Sequence, residues 1–122
     1  CVGMQVLADK GFEHSENDGL GWIKGSVNKL KTKNLPLPHV GWNEIKIKKE
    51  SPLYKNFSGN KDFYFVHSYA FDVSDKNLIT TETHYENDFC SSLESNNIFG
   101  IQFHPEKSQK SGMLLINNFL KI

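Results

Sequence analysis

The run Phe99-Gly100-Ile101-Gln102-Phe103-His104-Pro105-Glu106-Lys107-Ser108 constrains this chain more than any other. Ile101 and Phe103 alternate as in a strand packed into a core. Pro105 ends that strand, because it has no N–H to give a ladder. A histidine left at the end of a buried strand stands at the rim of a sheet. Glu106, two residues on, can sit beside that imidazole and fix its tautomer. A base oriented in this way needs a nucleophile, and the best candidate is Cys1.

The rest of the chain reads as short elements. Cys1 to Gly11 predicts a helix with an apolar face from Val2, Val6 and Leu7, closed by Gly11 as a left-handed cap. Cys1 then sits at the helix N-terminus, where free N–H groups and the dipole favour a thiolate. Gly3 removes a side chain close to it, as a tight strand-to-helix elbow requires. Residues 12–25 read as a loop, and Val27 and Leu30 mark a short strand. Glu44 to Lys48 alternates as a half-exposed strand, and Ser51-Pro52 opens a helical turn with Leu53 and Phe57 inward. Phe63 to Val66 is an aromatic strand running into His67-Ser68-Tyr69. Leu78 to Tyr85 and Phe89 to Leu93 flank Glu86-Asn87-Asp88 as a hairpin. From about Ser111 to Lys121, Met113, Ile116 and Leu120 form a stripe, widened by Leu115 and Phe119, that should cover a sheet face. The order helix, strands, helix is lopsided for an α/β domain, as though a first βα half were missing.

Charge narrows the partners. Fourteen basic and 14 acidic residues cancel, and every basic one is lysine. Planar bidentate phosphate clamps are therefore lacking, and neither nucleic acid nor an anionic membrane is indicated. No apolar stretch reaches the length of a bilayer span. Two cysteines far apart make no disulfide framework, so a reducing, cytoplasmic setting is expected. The five histidines show no metal-ligand spacing, so neither a metal nor a cofactor is expected. His67 reads as a core histidine, His14 and His84 as solvated, and Cys90 as a core thiol. His39 and Trp42 suit either packing or an interface.

Four segments occur in order: Cys1-Val2-Gly3-Met4-Gln5, Pro38-His39-Val40-Gly41-Trp42-Asn43, Phe65-Val66-His67-Ser68-Tyr69, and Phe99 through Ser108. Together they resemble the class I (triad) glutamine amidotransferases, and within them the branch serving histidine biosynthesis. The resemblance implies an α/β fold with a twisted, mostly parallel sheet flanked by helices. It also implies that residues 1–122 are the C-terminal part of one glutaminase domain, whose preceding half supplies a Gly-rich strand for the oxyanion hole. In that family a Cys-His-Glu triad hydrolyses glutamine through a glutamyl thioester and passes ammonia to a barrel-shaped synthase partner in a heterodimer. Carried over, Cys1 is the nucleophile, His104 the general base and acid, and Glu106 its orienting partner. Gly3, Gln5, Ser68 and Tyr69 match substrate-binding positions, and the Val2 N–H matches an oxyanion donor. Trp42, Asn43 and Lys107 match positions facing the synthase.

Three other readings compete. A related glutaminase serving a different synthase, such as one amidating a surface sugar, would carry nearly the same motifs. An N-terminal-nucleophile enzyme would use the α-amine of Cys1 as base, but would leave His104-Pro105-Glu106 without a purpose. A catalytically incomplete binding fragment would keep the interface without the oxyanion strand.

Overall fold

The computed structural model describes residues 1–122. It opens with a single helical turn, α1 (Val2–Gln5), rather than the helix to Gly11 that the sequence predicts. Long-range backbone bonds explain the difference. The carbonyls of Val6, Leu7 and Ala8 accept from Leu20 (2.7 Å), Ile23 (3.0 Å) and Gly21 (3.0 Å), so they are unavailable to a continuing helix. Gly11 is not a helix cap but the second residue of β1 (Lys10–Gly11).

The strands that follow are β2 (Asn17–Asp18), β3 (Gly25–Lys29), β4 (His39–Ile47), β5 (Asp62–His67), β6 (Tyr69–Val73), β7 (Ile79–Tyr85), β8 (Asn87–Ser95) and β9 (Ile98–Ile101). A 3-10 turn at Pro52–Tyr54 follows β4, with Leu53 and Tyr54 buried and the Ser51 hydroxyl accepting from Leu53 N. A second helix, α2 (Gln109–Phe119), lies close to the end of the chain. No helix is long and apolar enough to cross a membrane.

Two sheets result, in the orders β2-β1-β3-β6 and β5-β4-β7-β8-β9. Only β1 and β3 run parallel; every other pair is antiparallel, so these residues do not form the mostly parallel sheet expected. The short links explain it. β7 and β8 are joined through Glu86 and β8 and β9 through Asn96-Asn97, whereas parallel neighbours need a crossover of about a dozen residues or more.

One core cluster gathers Met4, Leu7, Val27, Phe71, Val73, Ile79 and Leu93 between α1 and the two sheets. A second gathers Ile45, Leu53, Phe63, Phe65, Phe103 and Leu115, with the Phe63 and Phe103 rings 4.2 Å apart at their centroids. The second cluster fixes the end of β9, because Phe103 is its fully buried anchor.

The inward row of α2 is Gly112, Leu115 and Asn118, not the Met113-Ile116-Leu120 stripe. Met113, Phe119 and Leu120 are exposed. A Cβ on Gly112 would lie 1.8 Å from the Pro105 carbonyl oxygen, so only glycine permits this approach. Asn118 Nδ2 donates to the carbonyls of Leu53 (2.9 Å) and Lys55 (2.8 Å). Close approach and polar satisfaction set the face of this helix, and a count of apolar residues misses both.

Candidate active site

α1 rests on β9. A Cβ on Gly100 would sit 2.9 Å from Met4 Cγ, so the glycine lets the helical turn lie against the strand. The Cys1 nitrogen donates to the Ile101 carbonyl at 2.8 Å, which holds the cysteine three residues before His104. Cys1 is the N-cap of α1 and its thiol makes no capping bond. A single turn supplies little dipole, so α1 favours a thiolate less than a helix reaching Gly11 would. Val2 is the first helical residue, whose N–H has no partner within the turn. Apart from its neighbours in the helical turn, nothing lies within 4 Å of where a Cβ on Gly3 would be, so the space beside the elbow is open.

His104 is held by its backbone on both sides. Its N–H donates to the Tyr64 carbonyl (2.9 Å), and its carbonyl accepts from the Ser108 hydroxyl (2.6 Å). The same hydroxyl accepts from Tyr64 N at 2.9 Å, and Ser108 is buried. The imidazole is then oriented by Glu106 through a 2.8 Å bond between Nδ1 and Oε1. Burial acts to raise the Glu106 carboxyl. The bond from His104 and the charge of Lys107 outweigh it and hold the group below its ordinary value. An ionised carboxylate only accepts, so Nδ1 carries the proton and Nε2 is left with a lone pair. Nε2 is buried and has no hydrogen-bond partner, the Cys1 thiol included.

Gln5 and Tyr69 are brought together. Gln5 Nε2 donates to the Tyr69 carbonyl at 3.0 Å and to Gln102 Oε1 at 3.1 Å. Ser68 is tied to β3 by its carbonyl, which accepts from Leu30 N at 2.9 Å. Both Ser68 and Tyr69 are half-buried. His67 is a core histidine whose Nδ1 bonds the Tyr69 carbonyl at 2.9 Å, so three groups converge on the Gln5–Tyr69 corner.

Of the interface candidates, Trp42 is exposed on β4 and faces Tyr64 across the ladder, ring edge to face at 6.1 Å. Lys107 Nζ lies 5.8 Å from the Tyr64 ring centroid. Trp42, Tyr64 and Lys107 thus make one surface patch, adjoining His104 through the Tyr64 backbone. Asn43 points inward instead. Its Nδ2 bonds the His84 carbonyl (2.9 Å) and His39 Nε2 (3.2 Å). No group of three or more His, Cys, Asp or Glu is placed to hold a metal ion.

Residues 1–122 match the family described as glutamine amidotransferase class-I along their whole length. The chain belongs to the class-I glutamine amidotransferase family. Among its relatives in that family is the imidazole glycerol phosphate synthase subunit HisH of Pelagibacter ubique, 49% identical over 124 residues, covering all of this chain and 60% of that protein. The proteins of the same name from Pyrococcus furiosus and Methanocaldococcus jannaschii are 48% and 44% identical, with 62% and 61% of their lengths covered. The chain spans about three-fifths of the length of these relatives.

Reading the sequence of this amidotransferase chain missed two residues that shape the candidate site. Gln102 is fully buried and accepts from Gln5. Ser108 pins the His104 backbone to β5. A buried glutamine inside an apolar strand was the available signal for the first. Nothing local distinguishes Ser108 from a helix-capping serine.

Proposed function

We propose that this chain carries the catalytic half of a glutaminase, the C-terminal part of one amidotransferase domain, which hydrolyses glutamine and passes the ammonia to a synthase partner in histidine biosynthesis. The observation that carries this reading is His104 Nε2: buried, unpartnered, and left with its lone pair by an Nδ1 proton committed to Glu106.

Nε2 takes the thiol proton as the Cys1 sulfur attacks the side-chain amide carbon of glutamine. The Val2 N–H donates to the oxyanion that forms. His104 returns the proton to the departing nitrogen, and ammonia leaves a glutamyl thioester on Cys1. Water, deprotonated by the same Nε2, attacks the thioester and releases glutamate. Gln5 and the Ser68-Tyr69 segment hold the substrate's α-amino and α-carboxyl groups, and the open space at Gly3 admits its side chain. The parallel strands and the second oxyanion donor belong to the preceding part of the domain. That the relatives are named as subunits of imidazole glycerol phosphate synthase supports another subunit of such an enzyme as the ammonia acceptor. Trp42, Tyr64 and Lys107 form the contact facing it, with Asn43 supporting the patch from behind. The two cysteines are free, which suits a reducing cytoplasm.

The test is Cys1→Ala in the full-length protein with its synthase partner. Glutamine hydrolysis should disappear, because no other group can carry the thioester, while the partner still binds. Normal glutamine turnover by that variant would refute the mechanism.

A further inference from the structure

Two buried histidines stand outside the triad. His39 and His67 face each other across β4 and β5 and are 3% and 6% exposed. His39 Nδ1 lies 2.9 Å from His67 Nε2. Aromatic rings wall them in: Tyr85 and Phe65 lie 4.1 and 4.9 Å from His39, and Phe89 lies 4.9 Å from His67, centroid to centroid.

The proton on each ring can be assigned from the two ends of the chain of bonds. At the outer end, Asn43 Oδ1 accepts from Glu44 N at 2.8 Å, which fixes the orientation of that amide. Its Nδ2 therefore donates to His39 Nε2, which must be a lone pair. The His39 proton then sits on Nδ1 and is donated to His67 Nε2. At the inner end the Tyr69 carbonyl only accepts, so His67 carries its proton on Nδ1, which leaves Nε2 bare. The two ends give the same answer. One proton per ring satisfies all three bonds, and a second proton on either ring would set two N–H groups against each other. Burial agrees, holding each ring at about 4, well below the ordinary histidine value. The titratable side chain acting on the pair from outside it is His104, with Tyr85 beside His39, and no carboxylate acts on either ring.

The inner end of this chain is the carbonyl that also holds Gln5. Resting on the glutaminase reading, we propose that His39 and His67 are positioning residues of the glutamine site: a neutral, single-tautomer pair that fixes the Tyr69 carbonyl, and through it Gln5 and the Cys1 turn, from the Asn43 side of β4. The pair touches neither the sulfur nor the bond being broken. Its loss should weaken substrate binding and leave the chemical step largely intact.

The experiment uses the full-length protein with its synthase partner. Imidazole 15N–1H spectra, assigned with His39→Asn and His67→Asn, should show Nδ1–H and a bare Nε2 on both rings, unchanged from neutral pH down to about 5. In kinetics, His67→Phe should raise KM for glutamine about tenfold, the worth of one hydrogen bond, with kcat changed less than about threefold. His67→Asn keeps a donor for the Tyr69 carbonyl and should recover most of the loss. Should the phenylalanine variant fail to fold, Asn43→Asp tests the outer end. Its carboxylate would draw the His39 proton to Nε2, and KM should rise with the change of tautomer. An Nε2–H tautomer on either wild-type ring, a titration near neutral pH, or an unaltered KM in a folded His67→Phe or Asn43→Asp protein would overturn the proposal. A wild-type protein with no glutamine turnover would instead overturn the glutaminase reading, and the spectra would still judge the pair.

Discussion

His67 ends β5 and His104 follows β9 by three residues, bridged to Tyr64 of β5, yet the two imidazoles are held in opposite ways. His104 gives its Nδ1 proton to a carboxylate and keeps Nε2 buried and unpartnered. His67 gives its Nδ1 proton to a carbonyl, and its Nε2 is already taken by His39. A carboxylate partner stabilises the imidazolium that forms during proton transfer; a carbonyl and a second ring in an apolar pocket do not. What an imidazole can do is set by what occupies its other nitrogen. On the proposed reading one ring is the base and the other a strut.

The largest effect should come from removing the carboxylate that makes the difference. Glu106→Gln can donate to Nδ1 and so favours the wrong tautomer of His104. Turnover of glutamine should fall by about 10²- to 10³-fold with little change in KM, as steady-state kinetics would show. A loss confined to KM would make Glu106 a substrate contact instead.

The buried pair should speak through acid stability. Each ring is held at about 4 when folded, against an ordinary value of 6.5. Above about pH 6.5 both states are neutral and the pair costs nothing. As pH falls toward 4 the unfolded chain takes up protons that the folded one refuses, so stability declines and then levels off. The loss should reach about 3 kcal/mol for one ring, and the shared bond makes the two titrate together. Glu106, held below its ordinary value, keeps its contribution through most of that range and begins to lose it only at the acid end, where the unfolded carboxyl takes up its proton. Urea denaturation of the full-length protein at a series of pH values reads this slope. It should flatten between pH 6.5 and 4 once His39 and His67 are replaced together by apolar residues.

Much of this was legible before the structure. β4, β5, β7, β8 and β9 announce themselves by alternation and by aromatic and β-branched content, although β9 stops at Ile101, short of the end at Phe103 that Pro105 implied. Residues 6–11 were not legible, because Leu20, Gly21 and Ile23 take the carbonyls a helix would need, and periodicity does not register such distant donors. The inner face of α2 was hidden for a related reason: Gly112 and Asn118 are selected by Pro105, Leu53 and Lys55, which lie outside the helix. The His39–His67 chain depends on register between β4 and β5, which motif spacing does not reveal.

The smallest of the expected effects concerns how His104 is mounted. Ser108→Ala removes the hydroxyl that bonds both the His104 carbonyl and Tyr64 N. The base should lose some of its aim but not its tautomer. We expect kcat to drop about tenfold while the pH profile keeps its shape. A shifted profile would mean that the hydroxyl tunes the imidazole directly.

The central claim is that His104 Nε2 activates the Cys1 thiol toward a glutamine-shaped substrate. The most direct measurement is covalent labelling of the full-length protein by a glutamine analogue carrying an electrophilic ketone, followed by peptide mass spectrometry. The account predicts saturable labelling of Cys1 alone, suppressed by glutamine, spared by Cys90 in its buried strand, and slowed about 10²-fold or more by His104→Ala. Labelling of Cys1 at the same rate with and without His104, or none at Cys1, would contradict it.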